Sequence, residues 1–195
     1  MKQVISTDLM GTLYGAYCAY RQFLRQGAGM LINIASELGE YALPYYSSYT
    51  AAKHGVVGLS TAIRQELAQN DIEHIYVWVV MPTASDTPFF DHAANYTGHE
   101  VQPPAPLHDP QEVVDAIVDL ARDPENTKVV GSDGLFKIVM KKLAPAAADK
   151  AMGKTMQRIQ IEKAPPGEDS RGAVEQPMRE GTGVSAGREH GRSPL

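Results

Sequence analysis

Apolar side chains recur at three- and four-residue steps near the start of the chain: Leu9, Leu13, Tyr17, Tyr20 and Leu24. That period places them on one face of a helix from about Val4 to Gln26, stopped by Gly27-Ala28-Gly29. The next pattern differs. "MLINIAS" at 30–36 is short, continuous and rich in β-branched residues, which suits a strand buried on both faces. After the breaker Pro44 the helical step returns from Ser47 to Asn70, with Val56, Leu59, Ile63 and Leu67 in one stripe. "IEHIYVWVVMP" at 72–82 reads as a second buried strand, closed by Pro82. Residues 83–108 follow no period, and so long an irregular stretch inside a domain is usually functional or disordered. A helix then starts on clear signals: Asp109 as N-cap, Pro110 at the first helical position and Glu112 completing a capping box. Val113, Val114, Ile117 and Leu120 form its apolar face. Residues 126–134 predict a third short strand, and the Lys-, Ala- and Met-rich stretch 135–163 predicts a helix interrupted at Pro145.

Helix alternating with strand implies an α/β fold, a partial Rossmann-like three-layer arrangement in which flanking helices cover a parallel sheet. About three strands are visible, fewer than such sheets usually have. Residues 1–145 form the expected domain, 146–163 a helical extension, and 164–195 a tail. The tail is rich in Pro, Gly and charge and poor in large apolar residues, so burial offsets little of its ordering entropy, and it is expected to be disordered.

Composition narrows the function. The 195 residues are 43% hydrophobic and 21% charged with a net charge of −5, which argues against a nucleic-acid surface. No run of eighteen apolar residues offers a membrane span, and "MKQVISTDLMGT" does not read as a signal peptide. The single cysteine, Cys18, can make no internal disulfide and anchors no metal cluster. Its setting among aromatic residues suggests a small buried side chain, and its solitude a reducing, cytoplasmic environment.

Candidate chemistry lies in "SSYTAAKHG", where Tyr49 and Lys53 stand four residues apart and so share a helix face. Nine tyrosines and nine lysines in 195 positions give about 0.4 such pairs by chance, so a solvated polar row explains the spacing as well as a catalytic pair does. Position adds weight to the second. Ser36 closes the first expected strand, and Pro82 and Thr87 follow the second. All then fall at the carboxyl ends of parallel strands, where open α/β sheets bind ligands.

With Ser36, Tyr49 and Lys53 in Ser-x12-Tyr-x-x-x-Lys spacing and "MPTASDTPFF" after the next strand, the chain resembles the short-chain dehydrogenase/reductase family over about 4–134. The resemblance implies an NAD(P)-dependent oxidoreductase acting on a small carbonyl or alcohol. Tyr49 would be the acid/base and Ser36 the carbonyl holder, with Lys53 on the ribose of NAD or NADP and beside the phenol, lowering its pKa. Asp8 stands where the family has a catalytic Asn. Pro82, Thr83, Ser85 and Thr87 would adjoin the nicotinamide, Thr83 replacing a family Gly. Phe89, Phe90, His92 and Tyr96 would lie in the substrate loop. Helices 5–25 and 47–70 would mediate homo-oligomer formation, and no nucleic-acid, membrane or metal partner is implied.

The family's Gly-rich pyrophosphate turn has no counterpart in these residues. The expectation is therefore a C-terminal portion of the family domain, its first four strands absent and the strand at 30–36 left as an edge. Two functions stay open: an oxidoreductase, or a catalytically silent fragment or interaction module unable to bind the cofactor alone.

Overall fold

The computed structural model describes residues 1–188. Strands β1 (Gly29–Ile34), β2 (Ile75–Pro82) and β3 (Thr127–Val130) form one parallel sheet in that order. The register pairs Gly29 with Ile75 and Ile34 with Val80, then Val79 with Thr127 and Pro82 with Val130. The helices are α1 (Lys2–Val4), α2 (Gly11–Gln26), α3 (Ser47–Gln69), α4 (Pro110–Arg122), α5 (Ser132–Leu143) and α6 (Pro145–Gln157). π-helical stretches occupy Ile5–Met10 and Arg158–Glu162. No helix among the described residues is long and apolar enough to cross a membrane.

The two-residue period of β2 explains the layers. Val77 packs with Ala16, Ile63 and Leu67, and Val79 and Met81 pack with Val56, so α2 and α3 cover one face. Trp78 and Val80 turn to the other face against Ala116 and Leu120 of α4. This is the expected three-layer α/β arrangement. A buried Asn33 would be costly there, but its amide donates to Ser60 Oγ at 2.9 Å, and Ser60 donates to Val56 O at 2.8 Å. β1 is an edge strand, with Met30 and Ile34 substantially exposed.

Several local expectations shift. The face of α2 that meets the core is Ala16, Tyr20 and Phe23, while Tyr17 and Leu24 are exposed. Small Ala16 permits close approach to the sheet, whereas the Tyr17 ring lies 5.6 Å from the Arg21 guanidinium on the outer side. Cys18 is exposed on the same helix. Asp109 caps α4 by accepting from Gln111 N at 2.8 Å, but Glu112 reaches His108 Nδ1 at 3.2 Å and makes no capping box. Residues 164–188, expected to be disordered, contain no helix or strand yet lie along the 86–100 loop. Isolated bridges join Asn95 to Ser170 and His99 to Pro166. Residues 189–195 of the expected tail lie outside the described residues.

Candidate active site

The site grows from the carboxyl ends of β1 and β2. β1 stops at Ile34, and Ser36 stands beyond it as N-cap of a 3-10 turn, Glu37–Gly39, where its Oγ accepts from Leu38 N at 3.2 Å. The first turns of α3 bring up Tyr49 and Lys53, and Lys53 Nζ donates to Ile34 O at 3.1 Å. Opposite, the π-helical stretch carries Asp8. Leu9, beside it, packs where Gly55 of α3 has no side chain: a Cβ there would come within 2.7 Å of Leu9 Cδ1. A wide turn at such a place re-aims side chains, here Asp8.

Ser36, Tyr49, Lys53 and Asp8 line one cavity of about 480 Å³ together with Pro82, Thr83, Ser85, Thr87, Phe89 and Phe90. Phe89 packs on Tyr49 with ring centroids 5.4 Å apart and meets Phe90 edge-on at 5.2 Å. Two expected residues stand apart from it. His92 turns to the tail, its Nε2 2.9 Å from Glu180 O, and Tyr96 is 68% exposed.

Electrostatics set the protonation states. Burial pushes the Tyr49 phenol up to about 12, opposed by a hydrogen bond with Ser36 and reinforced by the Asp8 and Glu37 carboxylates. The expected lowering by Lys53 is therefore overruled: its ammonium lies 5.5 Å from the ring centroid, and desolvation of the phenolate dominates. Burial lowers the Lys53 pKa, against a pull upward from Asp8, and raises that of Asp8, against a pull downward from Lys53.

Thr83 fits where a glycine was expected because its side chain enters the β3–α5 turn. Cβ atoms at Gly131 (φ +100°) and Gly134 would come within 2.3 and 2.2 Å of its Oγ1 and Cγ2.

Other lining residues were not singled out from the sequence: Leu38, Leu43, Tyr46, Val113 and the buried Glu37. Glu37 accepts from Lys137 Nζ at 3.2 Å, Lys137 also donates to Asp133 at 2.7 Å, and Asp133 meets His108 Nε2 at 2.8 Å. Burial raises the Glu37 pKa against Lys137 and Tyr41. It opposes Asp133 too, but hydrogen bonds from Lys137 and His108 hold that carboxyl below its usual value. The only sequence signal for this network was Glu37 itself, a charge directly after Ser36.

Residues 1–96 match the family model for short chain dehydrogenase. The uncharacterized oxidoreductase YxnA of Bacillus subtilis is 30% identical over 169 residues, which are 85% of this chain and 47% of that protein. The chain belongs to the short-chain dehydrogenase family. Carbonyl reductase family member 4 of Xenopus tropicalis is 28% identical over 141 residues, 72% of this chain and 58% of that one. The chain thus spans about half the length of these curated relatives. A short-chain dehydrogenase from Burkholderia cenocepacia, solved in complex with NADP, shares the fold at TM-score 0.61 and 22% identity, covering 76% of this chain and 56% of its own. A putative oxidoreductase from Escherichia coli gives TM-score 0.53 and 27% identity, over 68% and 54%.

Proposed function

We propose that the cavity is the proton-transfer end of an NAD(P)-dependent oxidoreductase site acting on a small carbonyl or alcohol. The observation that carries this is the convergence of Ser36, Tyr49, Lys53 and Asp8 on one cavity walled by Pro82–Thr87. The nicotinamide end of the cofactor fits the residues present. Lys53 has two N–H donors beyond the one on Ile34 O, and the hydroxyls of Tyr46 and Thr83, both of which line the cavity, are buried without a hydrogen-bond partner among the described residues. Lys53, Thr83, Ser85 and Thr87 would hold that end. The bound cofactor supplies the hydride.

The chain's own residues handle the proton. A phenol held near 12 is protonated at neutral pH, so Tyr49 is set as a general acid that protonates a developing alkoxide during carbonyl reduction. Ser36 donates to the same oxygen and orients it. Lys53 and Asp8 set the field around the phenol, and the Asp8 carboxylate, unlike an amide, opposes its ionisation. Phe89 and Phe90 shape the substrate wall. Self-association would use the outer faces of α2 and α3, where Tyr14 and Tyr17 are exposed, and the setting is cytoplasmic.

A second reading has its own observation: the sequence contains no Gly-x-x-x-Gly-x-Gly run, the spacing the family uses to hold the pyrophosphate. In that case the chain keeps the proton-transfer group without taking a cofactor by itself. Titrating it with NADPH and NADH while following energy transfer from Trp78 separates the two. Saturation in the micromolar range, followed by ketone-dependent loss of reduced-nicotinamide absorbance, supports the oxidoreductase; no binding supports the silent chain.

A further inference from the structure

The wall of the cavity is held from far along the chain. The neck of the loop that follows β2 is closed by its own backbone: Asp86 N donates to His108 O and His108 N to Ala84 O, both at 2.9 Å. Beyond the neck the loop's partners belong to the C-terminal segment. Glu100 N donates to Pro165 O at 2.9 Å, Asn95 and Ser170 exchange two bonds of 2.8 Å, and Ala173 N donates to His92 O at 2.9 Å. Further along, Ser185 and Arg188 reach Asp86, whose side chain is fully buried. Ser185 Oγ donates to Asp86 Oδ2 at 2.6 Å, Arg188 N donates to the same oxygen at 3.1 Å, and the Arg188 guanidinium lies 3.6 Å from Oδ1. That guanidinium also donates to Thr87 O at 3.1 Å and pairs with Asp91.

The geometry points to residues 165–188 as a strap that sets the substrate wall, with Arg188 and Asp86 as its positioning pair. A buried carboxylate without compensating charge is costly, so Asp86 selects the strapped arrangement over one in which the tail is free. The consequence reaches the cavity within a few residues. Arg188 ties down Thr87 O and Asp91, and Phe89, the residue against Tyr49, lies between them. Neither Arg188 nor Asp86 lines the cavity; both act on it through the backbone of 86–91. The placement of Thr87 and Phe89 gains a role in chemistry only through the reading of Tyr49 given above.

The test is amide hydrogen exchange on the full chain, on Arg188→Ala and on Ser185→Ala, the second being milder in case the first unfolds. Exchange at Asn95 and Glu100 is expected to quicken between about tenfold and a hundredfold in Arg188→Ala, the range that one charge-assisted hydrogen bond supplies, with β2 amides unchanged. Ser185→Ala is expected to give a smaller rise and Arg188→Lys partial recovery. Unchanged loop exchange in Arg188→Ala overturns the strap, as does a rise spread equally over the sheet. Where turnover is measurable, Arg188→Ala raises KM while kcat changes little. A loop that depends on Arg188 in a chain that binds no NADPH keeps the strap and removes the catalytic reading. NADPH-dependent turnover with a loop indifferent to Arg188 does the reverse.

Discussion

Two lysines approach the cavity from opposite sides, each facing a carboxylate in the lining, and their surroundings differ. Lys137 is doubly ion-paired, donating to Glu37 and Asp133, and Asp133 is tied to His108. Its pKa is lifted although burial opposes the rise, through the pull of Glu37 and Asp133. Among the described residues Lys53 makes no ion pair at contact distance; it spends one donor on Ile34 O, and burial lowers its pKa. Identical side chains are thus divided by their partners. The ion-paired lysine closes a structural network, and Lys53 keeps two donors for something that arrives.

The largest effect that can break this contrast belongs to the side chain beside Lys53. Tyr49→Phe is expected to cut carbonyl turnover about 10³-fold, within the usual range for losing a general acid, and to leave thermal unfolding nearly unchanged. A variant that keeps a tenth of the activity removes Tyr49 from the chemistry. Next comes Lys137→Met, which leaves Glu37 buried without its cation. Urea unfolding is expected to show a loss of about 2–4 kcal/mol, toward the lower end because Lys137 is partly exposed. A loss below about 0.5 kcal/mol, typical of a plain surface change, makes the network ornamental.

Asp8→Asn probes the field on the other side. The folded state raises the Asp8 pKa, so what that carboxyl contributes to stability is complete below its unfolded value, about 4, and is lost as pH rises through the folded value. The amide is therefore expected to raise Tm by about 1–3 °C at pH 7 and by nothing at pH 3. The reverse pH dependence assigns the cost to something other than the buried charge. Lys53→Met is expected to move stability least, within about 0.5 kcal/mol, because it trades one backbone hydrogen bond for relief of a desolvated cation. A loss comparable to that of Lys137→Met erases the contrast between the two lysines.

What the sequence made legible follows from range. Tyr49 and Lys53 are four residues apart on one helix, and strand ends are marked by local breakers such as Pro82, so the sheet, the helices and most of the cavity could be read from nearby residues. The Glu37–Lys137 pair spans a hundred positions and the Asp86–Arg188 pair slightly more. No periodicity joins such residues. His92 and Tyr96 stand in the aperiodic loop without lining the cavity, and such a stretch gives no direction to its side chains. The phenol of Tyr49 was misjudged for another reason: a nearby cation can be seen in the sequence, but the depth of burial that outweighs it cannot.

The contact between Arg188 and Asp86 also has a meaning in time. A growing chain displays Asp86 long before Arg188 exists. At about 5–20 residues per second the interval is roughly 5–20 s, far longer than helices or small sheets need to form. During synthesis the sheet and Tyr49 can be in place while the wall beside them still lacks its last partner. The site is then finished by a residue made about a hundred positions after its wall.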